Sequence, residues 1–158
     1  VMIGEGHAPE QVTLYSRERN LLLAADQVLP KISPVIGVWA PEPDADPLGD
    51  YLRTLRPYRE LPDDCQVMPA HGLPFLGLHQ RLDQLVAHHD ERLELSLAAC
   101  REPASAAAVL RALFQRPLDA YQTGFALAET LAHLNRLLRD GLLERTMGPD
   151  GVSLYRAM

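Results

Sequence analysis

The hydrophobic and polar positions of the first hundred residues predict short strands that alternate with helices. Residues 11–15 are rich in β-branched and aromatic side chains, a polar turn follows at 16–20, and residues 21–25 are continuously apolar. Two such runs joined by five polar residues predict a β-hairpin, and the unbroken second run predicts a strand covered on both faces. Residues 65–69 predict a further strand, and apolar residues at three- and four-residue spacing from Leu78 predict a long amphipathic helix. This order of strands and helices indicates an α/β layer.

A proline-rich stretch separates the hairpin from the next helix. Five prolines between Gln27 and Pro47 exclude regular structure over most of it. Its apolar residues predict a packed loop that forms one wall of a substrate pocket, with Trp39 either as an apolar surface of that pocket or as a packing anchor. Lys31, the only lysine of the chain, lies near this pocket by its position in the loop. A helix is predicted to begin at Pro47, with Asp46 as its N-cap.

The pattern changes after Cys100. We predict a helix at 104–114, a second helix at about 125–140 that ends before Gly141 as the C′ residue, and two final strands around a Gly-Pro-Asp-Gly turn. A small helical unit closed by a β-hairpin is the pattern of a winged helix. The sequence therefore predicts two domains, residues 1–100 and residues 101–158, with a boundary near 98–104.

Charge and cysteine content narrow the class of protein. Lys and Arg together number 15 against 21 Asp and Glu, a net charge of −6, which disfavours a general nucleic-acid binder. Residues 101–158 carry seven Arg against six acidic residues and so lack the basic face of a DNA reader. We interpret that unit as a lid, a packing element or a dimer contact. Cys65 and Cys100 form no paired motif, which favours a reducing, cytoplasmic setting, and no apolar run approaches the roughly 20 residues that cross a bilayer.

Three residues with metal-ligating side chains stand where a strand ends or a turn begins: His7, Asp26 and His71. A bare carboxylate at the end of an apolar strand is costly to bury, and a bound cation would offset that cost. Imidazole and carboxylate are standard ligands for Zn²⁺ and similar metals. Each residue alone has an ordinary alternative, because a histidine beside glycine is more often structural and an aspartate can simply cap a turn.

The other candidate ligands and nucleophiles form no such pattern. His88 and His89 are adjacent, so on a helix they point about 100° apart and cannot chelate one metal well. His79 and His133 show no partner in the sequence. Neither cysteine has a base nearby in sequence, which argues against a nucleophilic role.

The order of the three residues resembles the C-terminal half of a metallo-β-lactamase-fold hydrolase, in the glyoxalase-II-like and lactonase-like branch. The matching segments are Gly6-His7-Ala8-Pro9, Ala24-Ala25-Asp26-Gln27 and Pro69-Ala70-His71-Gly72, which correspond to the GHSP-type, SGD-type and PGHG-type motifs of that family. The resemblance covers roughly residues 1–97 and implies half of an αβ/βα sandwich. It implies that His7 is the third His of a first metal site, that Asp26 bridges two metals, and that His71 is the distal ligand of the second site. The C-terminal unit resembles the winged-helix segment appended to several such hydrolases.

The resemblance implies a metal-dependent hydrolase with two Zn²⁺, Fe or Mn ions in each full-length active site. A bridging water of lowered pKa would attack a small-molecule ester, thioester or lactone, or a phosphodiester; acidic charge makes nucleic acid the least favoured substrate. The family's HxHxDH loop is absent. Because the sequence also starts within a strand-like run, we expect a fragment that cannot assemble the dinuclear site and is inactive alone.

A second hypothesis is a regulatory or interaction module. In that case the winged helix is the working part, and His7, Asp26 and His71 are relics of a metal site. Under either hypothesis, half a sandwich would leave an apolar sheet face bare, which predicts that the chain forms a homo-oligomer or aggregates. No membrane partner is expected.

Overall fold

The computed structural model describes all residues from 1 to 158. The backbone divides into two compact units: unit 1 comprises residues 1–35 and 49–88, and unit 2 comprises residues 36–48 and 89–158. The domain boundary expected near 98–104 stays a prediction. None of the helices combines the length and the apolar character needed to cross a membrane.

Unit 1 is built on a four-stranded sheet. Its elements in chain order are β1 (Met2–Gly4), β2 (Gln11–Ser16), β3 (Leu21–Ala25), α1 (Pro47–Leu55), a 3₁₀ turn (Arg56–Glu60), β4 (Gln66–Pro69) and α2 (Leu78–Ala99), whose residues beyond His88 belong to unit 2. These bounds confirm the predicted hairpin, the helix that begins at Pro47, the strand near 65–69 and the long helix from Leu78. Between β3 and α1 the chain forms turns and extended segments only, as the prolines predict.

The direction of the strands determines what meets at each edge of the sheet. The strand order is β1-β2-β3-β4. Strands β1 and β3 are both antiparallel to β2, while β4 is parallel to β3, with Leu22 opposite Val67. Strands β1, β3 and β4 therefore run in the same direction, and their carboxyl ends lie along one edge, which is where open α/β sheets place their ligands.

The two faces of this sheet differ in burial. Leu22 and Val67 are completely buried, and the buried Thr13 hydroxyl lies 2.8 Å from the Tyr58 hydroxyl. On the opposite face, four apolar side chains remain exposed: Ile3, Val12, Leu14 and Leu23. The expectation that the strand at 21–25 is covered on both faces is therefore wrong in this chain, because Leu23 points to the uncovered face and is 44% exposed.

A buried polar network joins the loop after β1 to the residue that follows Asp26. The backbone N–H of Glu5 and the side-chain amide of Gln27 both donate to Thr54 Oγ1, at 3.1 and 3.2 Å. Tyr51 Oη donates to the carbonyl of Gln27 at 3.1 Å, and burial raises the pKa of that phenol. Gly4 leaves room for this packing, since a Cβ there would lie 2.2 Å from Gln27 Oε1. Helix α1 thus holds the backbone on either side of the predicted site.

Unit 2 contains the C-terminal part of α2, two further helices and a three-stranded sheet. Its elements are β5 (Ala104–Ser105), α3 (Ala106–Leu113), α4 (Ala120–Arg139), β6 (Leu143–Met147) and β7 (Ser153–Ala157), with the antiparallel strand order β5-β7-β6. The core packs around buried apolar side chains of both helices and the hairpin: Cys100, Val109, Leu113, Leu134, Leu137, Leu143 and Tyr155. Gly141 has φ +70 directly after the end of α4, which confirms it as the C′ residue.

Two helix starts in unit 2 differ from the prediction. Residues 104 and 105 pair with β7 instead of opening a helix, because Ser105 has an extended backbone and caps α3 by accepting from Ala108 N–H. Helix α4 begins at Ala120 and not near 125, because Asp119 and Gln122 form a reciprocal capping box that starts it earlier.

A pair of buried histidines joins α2 to α4 within unit 2. His89 Nδ1 lies 3.3 Å from His133 Nε2, and both side chains are buried. His133 Nδ1 lies 2.8 Å from the carbonyl of Glu129, so that nitrogen carries the proton and Nε2 accepts from His89. His89 lies in the core, which is one of the two roles, surface or core, expected for adjacent histidines on a helix, whereas the contact between His133 and His89 was not predicted.

Candidate metal centre

Three codirectional strands deliver the three predicted ligands to one place. His7 lies three residues after β1, Asp26 follows β3 directly, and His71 lies two residues after β4. A backbone hydrogen bond of 2.8 Å from Ala70 N–H to the Ala25 carbonyl joins the loops that carry Asp26 and His71. The edge of the sheet therefore gathers side chains that are far apart in sequence.

The carboxylate of Asp26 lies between the two imidazoles. Its Oδ2 is 3.8 Å from His7 Nε2, and its Oδ1 is 3.5 Å from His71 Nε2. The Asp26 side chain is 22% exposed, whereas that of His71 is 73% exposed, so the group opens to solvent on the His71 side. Each carboxylate oxygen thus faces a different ring nitrogen.

A backbone carbonyl orients the ring of His7. His7 Nδ1 lies 2.9 Å from the carbonyl oxygen of Val35, and because a carbonyl only accepts, Nδ1 is the protonated nitrogen. In the neutral ring Nε2 then carries the lone pair, and it lies 3.8 Å from Asp26 Oδ2. A cation or a proton between these two acceptors would make the contact attractive. A backbone carbonyl bonded to the far nitrogen is also the usual arrangement for a metal-binding histidine.

The separations fit ligands that share a cation in pairs. Two donors about 2.1 Å from one tetrahedral cation lie about 3.4 Å apart, close to the 3.5 Å between Asp26 and His71 and somewhat below the 3.8 Å between Asp26 and His7. No group of three or more His, Cys, Asp or Glu side chains is arranged to hold one metal ion. Asp26 presents a different oxygen to each ring, so each of the two contacts involves only two side chains of this chain.

Local backbone geometry fixes these positions. Ala25, just before Asp26, has φ +48, a strained value for a residue with a Cβ. Gly72, just after His71, has φ +88, and a Cβ there would lie 2.7 Å from Pro30 Cγ. The loop after β3 and the loop after β4 therefore touch at Pro30 and Gly72, close in sequence to the candidate ligands, and glycine at 72 permits that contact.

A cavity adjoins His71 in unit 1. We call it the His71 cavity; it has a volume of about 430 Å³ and is lined by Pro30, Lys31, Ile32, His71, Gly72, Leu73, Pro74 and Phe75. Lys31 therefore lines a cavity, and the role of that cavity as the substrate pocket stays a prediction. Trp39 is not among these lining residues. Its ring meets the ring of Phe125 edge-on, with centroids 5.8 Å apart, and is half exposed, so both alternatives for Trp39 stay predictions.

An arginine of α2 that sequence reasoning missed holds one wall of the cavity. The Arg81 guanidinium donates from Nε to the Leu29 carbonyl and from Nη2 to the Ile32 carbonyl, the latter at 2.9 Å. Burial lowers the pKa of Arg81 from its ordinary value, with Tyr51 opposing the shift. No sequence signal marks this role, because the acceptors are backbone oxygens. Cys65 and Cys100 are buried free thiols whose pKa is raised by burial, which agrees with structural roles.

Comparison with known proteins shows which family and which solved structures the chain is similar to. Residues 93–158 match the family described as metallo-beta-lactamase-like, C-terminal domain. A beta-lactamase domain protein from Burkholderia ambifaria is 45% identical, with a TM-score of 0.97, and the match covers 100% of this chain and 47% of that one. A metallo-beta-lactamase family protein from Thermus thermophilus is 36% identical, with a TM-score of 0.83, over 98% of this chain and 47% of that one. No curated protein matches the chain.

The chain thus spans about half the length of these two proteins. Its mixed α/β architecture, with four helices and two sheets, matches theirs and confirms the predicted fold class. Residues 93–158 therefore resemble the C-terminal domain of metallo-beta-lactamase-like proteins, and the chain has the fold of the corresponding parts of these two solved structures.

Proposed function

We propose that this chain supplies three ligands, His7, Asp26 and His71, to the dinuclear site of a metal-dependent hydrolase of the metallo-β-lactamase superfamily. The observation that supports this most directly is the position of the Asp26 carboxylate, with one oxygen toward each imidazole Nε2. A carboxylate that bridges two cations through both of its oxygens would have this arrangement, whereas an aspartate that only caps a turn does not need it. The fixed tautomer of His7 adds an oriented lone pair.

Each residue has a separate task in this proposal. A pair of Zn²⁺, Fe or Mn ions would supply hydroxide at neutral pH and polarise the substrate. Asp26 contributes the negative charge that balances the cations, and His7 is kept rigid by Val35. His71, the most exposed of the three, lies where substrate enters. The remaining ligands would come from an HxHxDH loop, as in the glyoxalase-II-like and lactonase-like enzymes, and the fragment is expected to be inactive without it.

The substrate class follows from the same motif resemblance. Thioesters, lactones and other small esters fit an acidic chain better than a phosphodiester of nucleic acid does. We further propose that β5, α3, α4, β6 and β7 form a winged helix that serves as a lid or packing element. Two buried, unpaired cysteines fit a reducing, cytoplasmic setting.

Metal analysis of the full-length protein tests the proposal. We expect about two equivalents of Zn, Fe or Mn per chain, and a loss of at least one in Asp26→Asn. Asp63→Asn is the matched control, because Asp63 also faces an imidazole, that of His79 at 4.0 Å, outside the candidate centre. A metal-free protein, or equal metal loss in both variants, would favour the regulatory or interaction module.

The 158-residue chain offers a second readout. On titration with Zn²⁺, the ¹⁵N resonances of His7 and His71 Nε2 should shift together, while those of His79 should not. A uniform response of all three histidines would show adventitious binding and contradict the assignment.

A further inference from the structure

The His71 cavity is an open cleft with the size of a ligand site. Its volume of about 430 Å³ lies within the range of about 300–1,000 Å³ that is typical of small-molecule pockets. His71 is one of its lining residues, so a molecule bound in it would lie next to one of the candidate ligands. The residues opposite His71 come from the loop that follows Asp26.

The walls of the cavity are held in place before any ligand arrives. Arg81 donates to two carbonyls of the wall, those of Leu29 and Ile32. Gly72 packs so closely against Pro30 that no side chain fits between them. A preformed pocket binds with a smaller loss of conformational entropy than one that must be ordered.

The lining combines apolar side chains with a single cation. Ile32 and Leu73 line the cavity and are 62% and 80% exposed, so each leaves apolar surface in water that a ligand would cover. Lys31 is the only Lys, Arg, Asp or Glu side chain of the lining, and it forms no ion pair. An apolar cavity with one unpaired cation is complementary to a molecule that has an aliphatic chain and one negative charge.

We propose that the His71 cavity binds the aliphatic chain of an anionic substrate, with the negative charge paired to Lys31 and the reacting bond next to His71. The identity of the bound molecule as a substrate rests on the proposed function. The binding itself rests only on the cavity and requires no metal.

Straight-chain carboxylates are the minimal probe. Calorimetry on the 158-residue chain, with a chelator present and each carboxylate below its micelle concentration, would compare butanoate, hexanoate and octanoate. We expect the dissociation constant to fall about fourfold for each methylene that enters the cavity. Ile32→Ser should weaken octanoate binding about tenfold or more and flatten the dependence on chain length. Leu76→Ser is the matched control, because Leu76 is similarly exposed, at 67%, but does not line the cavity.

The charge is tested separately. Lys31→Met should weaken octanoate binding about fivefold to tenfold and leave octanol binding unchanged, whereas Arg19→Met, which removes one exposed positive charge elsewhere, should change neither. Affinity that is independent of chain length, or equal effects of the Ile32 and Leu76 variants, would overturn the proposal. Equal binding of octanol and octanoate would also overturn it.

A failure of the cavity proposal can be distinguished from a failure of the metal proposal, because carboxylate binding and metal binding are measured separately. Asp26→Asn should lower the metal content of the full-length protein by at least one equivalent, while octanoate binding in chelator stays unchanged. Loss of carboxylate binding with two metals still bound would refute the cavity proposal alone.

Discussion

The contact between Arg81 and the loop after β3 predicts a local loss of stability in Arg81→Met. Methionine keeps much of the aliphatic stem but removes the donors to the Leu29 and Ile32 carbonyls. The contact to Leu29 is partly buried, and an acceptor left without a partner there costs about 1–3 kcal/mol. The contact to Ile32 is exposed, so water replaces it at a cost of about 0–0.5 kcal/mol. The free energy of unfolding should therefore fall by about 1–3 kcal/mol.

Two measurements follow this change. Urea unfolding reports the total loss in the free energy of unfolding. In hydrogen exchange, the increase in rate over wild type should be larger for the backbone amides at 31–33 than for those elsewhere in unit 1. Arg59→Met is the matched control: Arg59 pairs with Asp83 of α2, but both side chains are well exposed, so the loss should be below about 1 kcal/mol. Equal losses in the two variants, with unchanged exchange at 31–33, would refute the view that Arg81 fixes the wall of the cavity.

Three further predictions concern charge, surface and backbone. Burial raises the pKa of the Glu129 carboxyl above its ordinary 4.5, so the folded state binds this proton more tightly than the unfolded state does. The free energy of unfolding therefore falls as the pH rises above 4.5. Glu129→Gln should have a higher melting temperature than wild type at pH 8, and the difference should vanish below about pH 4. Lysine at both Leu14 and Leu23, on the exposed sheet face, should lower self-association in sedimentation velocity, and a monomeric wild-type chain would contradict the predicted homo-oligomer. Gly72→Ala should unfold at lower urea concentration than Gly77→Ala, because both glycines have positive φ but only the first would bring a Cβ into contact closer than 3 Å; equal midpoints would refute the clash.

The elements with strong local signals could be predicted from sequence. The polar turn at 16–20 fixes the hairpin, Pro47 marks the start of α1, and Gly141 marks the end of α4. Each signal acts within a few residues and therefore needs no knowledge of the rest of the fold. The early start of α4 has a local signal too, the Asp119 and Gln122 capping box, which the apolar pattern alone did not reveal.

What depends on distant packing could not be predicted. The exposure of Leu23 depends on what covers that face of the sheet, and the strand sequence is the same whether it is covered or not. The contact between His89 and His133 joins residues that are 44 positions apart. No spacing rule connects two histidines on separate helices.

The candidate site shows the same division. The motifs indicated His7, Asp26 and His71, and the structure brings these side chains together. Their assignment as ligands stays a proposal. The supporting contacts from Val35 and Arg81 involve backbone carbonyls, which every residue has, so the sequence carries no sign of them.

Because of the Val35 carbonyl, the loop after Asp26 contacts both the cavity and the ring of His7. Residues 30–32 of this loop line the cavity, while the carbonyl of Val35 sets which nitrogen of His7 is protonated. Since any amino acid offers that same oxygen, the exposed side chains at 31 and 32 can be replaced without disturbing the imidazole, and such replacements would change the ligand preference of the proposed cavity. Shortening or lengthening the segment by one residue would disturb both at once. Variation that alters selectivity is therefore expected as replacements in this stretch, and insertions or deletions there should be rare among active relatives.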